Sequence, residues 1–208
     1  MTDLEMWDKI REGDPGTYRI VYDQYATKMY GYGMKFTRDC MLVENAIQTV
    51  FLNIFNSRSR ISQTDNILAY LLSSLKRQLL SDMNKEIRQL QICPTEINLH
   101  EVSEKDDFHL EIDPESIMIN SESLEERVSE LNNALNKLSG RQREVIYLKY
   151  NQELSGEEIA KIMDINHQSV RNMLNRAINL LRKEMGANID LIALTGVLTL
   201  EQVLLFVK

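Results

Sequence analysis

Between Ser139 and Asn166 the chain signals the start of a helix three times. Ser139 is followed three residues on by Gln142, and Ser155 by Glu158. At that spacing a hydroxyl and a longer polar side chain cap each other's backbone amides. Asn166 can cap a third helix, and only "DIN", Asp164 to Asn166, separates it from the second. Two helices joined by so short a break form a helix-turn-helix. Val170, Leu174, Ala177 and Leu181 repeat on one face of the last helix and are expected to be its core side. Gln168, Arg171, Asn172, Asn175 and Arg176 fall on the other face. Amides suit adenine edges in the major groove, and arginine suits guanine or phosphate. An ordinary αα-hairpin with a merely solvated polar face competes with this reading. Against it stand the short break, the caps on both sides and a face rich in amides and arginine but poor in acid. Asn166, His167, Gln168 and Ser169, with Arg171, Asn172 and Arg176, are therefore the candidate contacts to DNA.

The rest of the chain also reads as helix. Only 3 prolines and 8 glycines occur in 208 residues, and aliphatic residues recur at helical spacing, so the fold class is all-α. Asp14 can cap a helix with Pro15 at its first position, followed by Tyr18, Val21, Tyr22, Tyr25, Met29 and Tyr32 at helical intervals. In "CMLVENAIQTVFLNIFNS", Val43, Ile47, Val50 and Ile54 form a stripe for burial, widened by Ala46 and Phe51. Glu44, Asn45, Gln48 and Asn53 lie away from it. A third long helix, "ILAYLLSSLKRQLLSDMNKEIRQ", runs from apolar to basic, with Lys76, Arg77, Lys85 and Arg88 as its cations.

The net charge of −7 looks wrong for a DNA-binding chain until it is mapped. Residues 91–130 hold 12 acidic and 2 basic residues, a net −10, which leaves +3 for everything else. Two of the three prolines fall in the same block, which lacks sustained periodicity and reads as an acidic linker between two helical domains. It is either a plain solvated connection or an acidic strand that competes with DNA for a basic surface. The expected organisation is residues 1–90, linker 91–130, residues 131–186 and an apolar tail 187–208. The tail is about as long as a membrane span, but Asp190 and Glu201 sit within it. An amphipathic docking helix is expected there, with Thr199 and Gln202 able to cap a short final helix.

Several function classes are excluded. The N-terminus lacks the basic and apolar regions of a secretory signal. Cys40 and Cys93 are far apart, have no CxxC companion and make no metal-ligand pattern with the three histidines, so structural thiols in a reduced cytoplasm are expected. No phosphate-cradling glycine loop, nucleophile motif or pair of catalytic carboxylates stands out. Neither catalysis, a cofactor, a metal nor a small-molecule substrate is expected.

The residues that carry these signals also carry a resemblance. "LSGRQREVIYLKYNQELSGEEIAKIMDINHQSVRNMLNRAINLLRK" resembles region four of bacterial sigma factors of the extracytoplasmic-function group, particularly forms common in Bacteroidetes. "DPGTYRIVYDQYATKMYGYGMKFTRD" resembles the start of region two, "VENAIQTVFLNIF" its polymerase-binding helix, and "ILAYLLSSLKRQLLSDMNK" the helix that reads and opens the promoter. The resemblance implies two small helical domains, a region-two bundle and a region-four helix-turn-helix, joined by the acidic linker. It implies a factor that binds core RNA polymerase, through the clamp coiled coil and the flap, and directs it to promoter DNA. Glu44, Asn45, Gln48, Thr49 and Leu52 would meet the polymerase. Arg58, Arg60, Tyr70, Lys76, Arg77, Lys85 and Arg88 would serve the minus-ten element, with a base flipped from the stack and held by the loop Ser57 to Asn66. The helix-turn-helix would read the minus-thirty-five element, and the linker would thread the RNA-exit path. An anti-sigma factor is a further implied partner.

This chain departs from the family pattern at several positions. In the docking helix the usual Asp and Glu read Asn45 and Thr49. In the promoter helix the usual Arg-Asn pair reads Lys76-Arg77, an expected Asp reads Ser81, the family's Trp is Tyr70, and an expected Arg is Asn84. The departures fall more on minus-ten reading than on polymerase binding. They leave two readings beside each other: a diverged promoter specificity, or a factor helped to DNA by another DNA-targeting partner, at the limit a degenerate sigma-like adaptor. A helix-turn-helix regulator of the response-regulator type would need an alternating βα receiver with clustered Asp, and the first half of the chain reads as helix only.

Overall fold

The computed structural model describes residues 1–90, 108–112 and 122–185. Among these residues there are eight α-helices and no strand. The chain divides into two units, Met1–Lys105 and Asp106–Lys208. No described helix is long and apolar enough to cross a membrane, and the tail and Cys93 lie outside the described residues.

The first unit holds α1 (Asp3–Glu12), α2 (Pro15–Gly33), α3 (Cys40–Ser57) and α4 (Ile67–Leu90). Asp14 caps α2 as its sequence requires: its carboxylate accepts from the Thr17 amide at 2.9 Å, and Pro15 sits at the helix start. Thr17 bonds to that carboxylate through its hydroxyl as well, which holds the Asp14 carboxyl below its ordinary value. The expected stripe of α3 is buried throughout, Val43, Ala46, Ile47, Val50, Phe51 and Ile54 alike, and packs against α2 and α4. Gly33 makes the α2–α3 approach possible, because a Cβ there would lie 2.7 Å from the Val43 Cγ1. Leu71, Leu72, Leu75 and Leu79 of α4 close the core with no exposed surface.

Helix α1 has no counterpart in the sequence reading. It is marked by a capping box between Thr2 and Glu5 and ends at Gly13 in the left-handed conformation. Its buried side chains are Met6, Trp7 and Ile10.

The second unit contains α5 (Glu122–Asn136), α6 (Gly140–Ile146), a π-helical turn (Tyr147–Asn151), α7 (Gly156–Met163) and α8 (His167–Met185). The capping boxes at Ser139 and Ser155 form, each with both of its hydrogen bonds. Just after the π turn, Gln152 is buried and its amide donates to the Tyr147 hydroxyl and to Asn151 Oδ1, which ties the turn together before α7 begins. Lys137 and Glu184 pair at the far ends of α5 and α8, and that bond draws the Glu184 carboxyl below its ordinary value.

Part of the stretch expected as linker is not solvated chain. Phe108, Leu110 and Ile112 are buried in the second unit, while His109 and Glu111 between them are exposed. The segment has strand-like alternation without a strand partner, and side chains pin its backbone instead. Asn132 of α5 accepts from the Ile112 amide at 2.9 Å and donates to its carbonyl at 2.7 Å. Arg143 of α6 donates to the Phe108 carbonyl at 2.7 Å, and the Phe108 ring packs on Tyr147. Helix α5 also begins inside the same stretch. Acidity dominates the composition here, but three apolar residues at every second position are enough to bury one side of a short strap.

Candidate nucleic-acid interface

Helices α7 and α8 are separated by Asp164, Ile165 and Asn166. Asp164 takes the left-handed conformation (φ 53°) that ends α7, and its amide donates to the Ala160 carbonyl. Aspartate tolerates that region better than most side chains. Asn166 then accepts from the Ser169 amide at 2.7 Å, so its side chain is committed to starting α8. Val170, Ala177 and Leu181 are buried and Leu174 is half-buried, which turns Gln168, Arg171, Asn172, Asn175 and Arg176 to solvent. The first turn of α8 has no acidic residue. Gln168 donates to Asn172 Oδ1 at 3.1 Å, so the two amides form one surface. His167 is exposed but close to α7, with its Nε2 2.7 Å from where a Cβ on Gly156 would stand. Ser169 is half-buried and serves the cap through its backbone.

The first unit has a cleft of about 400 Å³ between α3, the loop after it and α4. Val50, Ile54, Ile61 and Tyr70 supply its apolar lining, and Asn53, Ser57, Ser74, Arg77, Gln78 and Ser81 its polar lining. A cleft of this size, mixing an aromatic face with amides, hydroxyls and a guanidinium, suits a planar polar heterocycle attached to an anionic backbone.

Of the residues expected at a minus-ten site, Tyr70 and Arg77 meet in this cleft. Arg60 is exposed on the loop. Arg58 turns back over the Phe55 ring and donates to the Phe55 carbonyl at 2.9 Å. Lys76 lies over the Phe36 ring, and Lys85 pairs with Asp82 at 3.0 Å. Arg88 is on α4, with its side chain outside the described residues.

The outer face of α3 forms a second surface. Glu44, Asn45, Gln48 and Leu52 are exposed, while Thr49 is half-buried and donates to its own helix at the Asn45 carbonyl. Two residues that the sequence reading passed over extend the row. Met41 is 72% exposed and Phe55 43%, with Leu52 between them at 59%. Met41, Asn45, Gln48, Leu52 and Phe55 alternate four and three residues apart, the spacing of a coiled-coil seam. Large apolar side chains on the solvent side at both ends of that row, with amides between them, were the available signal. Beneath the row's end, Tyr18 donates to the Phe51 carbonyl and Tyr22 packs its ring on Phe51, which fixes the seam to α2.

Residues 129–181 match the family described as Sigma-70, region 4. The chain is 24% identical over 171 residues to the ECF RNA polymerase sigma factor SigX of Bacillus subtilis (strain 168), covering 81% of this chain and 84% of that protein. Its fold is similar to that of CnrH, solved in complex with the cytosolic domain of CnrY, with a TM-score of 0.53, 13% identity and coverage of 89% and 98%. It is also similar to the sigma factor RpoE of Bartonella quintana, solved in complex with the anti-sigma factor NepR, with a TM-score of 0.50, 20% identity and coverage of 78% and 91%. The second unit thus carries a match to Sigma-70 region 4, and across most of its length the chain is similar to an extracytoplasmic-function sigma factor.

Proposed function

We propose that this protein binds core RNA polymerase in the cytoplasm and directs it to a set of promoters, making no RNA itself. The observation that carries the reading is the exposed seam on α3, lying on the same helix that walls the cleft. A seam spaced for a coiled coil answers the polymerase clamp, and the cleft beside it answers a base drawn from the duplex next to that clamp. Capture of such a base costs a few kcal/mol of unstacking, which stacking on Tyr70 and contact with Arg77 would offset. The Gln168–Arg176 face of α8 would read the upstream element in the major groove. The acidic linker would follow the RNA-exit path, and an anti-sigma factor of the kind bound to the RpoE relative would hold the free protein.

The test is transcription in vitro with cognate core polymerase on a genomic promoter library. Discrete start sites that depend on the protein are expected. Transcripts identical to those of core enzyme alone would overturn the reading.

One observation favours a second reading. Arg58, Lys76 and Lys85 each have a partner within the first unit, and Arg77 is the one cation that lines the cleft among the described residues, a thin cationic surface there. A factor with that surface would gain from a second DNA-targeting partner, and weak initiation that such a partner restores would distinguish this case.

A further inference from the structure

Trp7 is the chain's single tryptophan and has no exposed surface. A buried indole N–H needs an acceptor, and most find one nearby in their own core. This one donates to the carbonyl of Ser62, 55 residues away on the loop after α3, at 2.9 Å. Ser62 follows Ile61, which lines the cleft. The other face of the connection is aromatic: the Trp7 ring packs on Tyr70 with centroids 4.7 Å apart and planes tilted by 59°, and Tyr70 also lines the cleft. One side chain outside the cleft therefore contacts Tyr70 on one wall and the residue next to Ile61 on another.

The rest of α1 ties down the same loop. Asp8 accepts from the Gln63 side chain at 3.3 Å. Asp3 accepts from the Ile67 amide at 2.9 Å, where the loop becomes α4, and its other oxygen accepts from the Tyr25 hydroxyl at 3.1 Å. Burial, reinforced by that carboxylate, pushes the Tyr25 hydroxyl's pKa well up, which keeps it a donor. At the loop's start, Arg58 lies against Gly13, with Nε 2.9 Å from where a Cβ would stand. The loop is thus hydrogen-bonded to α1 at its middle and end and lies against the following turn at its start.

We propose that Trp7 is a positioning residue for strand capture: it sets the separation of the loop and Tyr70, and so the shape in which the cleft meets an unpaired base. This rests on the cleft's role in the proposed function. Trp7 acts through Ser62 and Tyr70 and lines no part of the cleft itself. Loss of its N–H frees the loop carbonyl to take water and lets Ile61 drift, while the ring can still fill the core.

The experiment uses the full chain bound to core polymerase and partly single-stranded fragments of a promoter recovered by the transcription test. An abasic nucleotide is scanned along the non-template strand to find the captured position. Trp7→Phe is compared with a chain carrying benzothienylalanine at position 7, which keeps the bicyclic ring and lacks the donor. Both should bind core polymerase like the wild type and bind the intact fragment about two- to tenfold more weakly. On the fragment that is abasic at the captured position, all three should bind equally, because no base remains for the cleft to hold. Asp8→Ala, which cuts the exposed tie to Gln63, should weaken intact-fragment binding in the same selective way. The proposal is overturned if the benzothienylalanine chain matches the wild type on the intact fragment. It is also overturned if the loss persists on the abasic fragment, which would make Trp7 a fold residue only. A flat abasic scan with the wild type would instead remove the cleft's role, and the proposal with it.

Discussion

Arg171 stands on the exposed face of α8 one turn after the cap, beside the joined amides of Gln168 and Asn172. From that place it is expected to reach a base edge. Arg171→Ala should then cost ~1–3 kcal/mol of binding at one position of the upstream element and little elsewhere. A promoter-variant binding series measured at several salt concentrations checks this. A uniform loss with the salt slope reduced by ~1 would assign Arg171 to phosphate instead. Asp14 makes a prediction of a different kind. Its two bonds from Thr17 hold its carboxyl below the ordinary 3.8, so its contribution to stability is present above that value and is lost as pH falls through the lower one. Melting curves of the wild type and Asp14→Ala should therefore be separated at neutral pH and converge in acid. At this scale the sequence was informative at the caps that were read from it, while the equally local Thr2–Glu5 box at the start of α1 went unread. Asp14, Ser139, Ser155 and Asn166 all cap as their spacing indicated. It was silent on partners distant along the chain: nothing in the sequence around Lys76 indicates that it would lie over the Phe36 ring.

Helix α3 buries one face and leaves a regular seam on the other. Gln48→Arg puts a long cation in the middle of that seam and leaves the buried stripe untouched. Binding to core polymerase should weaken while the melting temperature holds, as pull-down and circular dichroism would show. Unchanged binding with an intact fold would move the docking surface elsewhere. The buried face of α3 was readable because aliphatic residues at helical intervals have one sensible place to go. Helix α1 was not, because at ten residues its pattern is short and its importance lies in a single indole bonded to a distant loop. The π turn at Tyr147–Asn151 is harder still, since it is a change of backbone pairing within a sequence that continues to look helical.

For the whole molecule, the acidic block can now be divided. Glu101, Glu104, Asp106 and Asp107 precede the buried strap, so their charge can be removed without removing the packing at Phe108, Leu110 and Ile112. Changing those four to Gln and Asn should raise the free protein's nonspecific affinity for DNA, more at low salt than at physiological strength, where screening acts within about 8 Å. Titration with a promoter-free duplex at two salt concentrations measures this. Affinity unchanged at low salt would reduce the block to a plain solvated connection.

The docked strap also sets a length. With Phe108 held in the second unit, the covalent path from the end of α4 is residues 91–107, whose contour is roughly 60 Å fully drawn out. If the strap comes off, the path extends to the start of α5 and its contour to roughly 110 Å. If the two units hold DNA as proposed, their reach would then depend on Asn132, which grips the Ile112 backbone twice. Promoters whose two elements are moved apart should lose activity abruptly as the spacer outgrows the shorter leash. Asn132→Ala should shift that cutoff toward longer spacers while leaving the native spacing serviceable, an outcome that transcription from a spacer-length series reads directly.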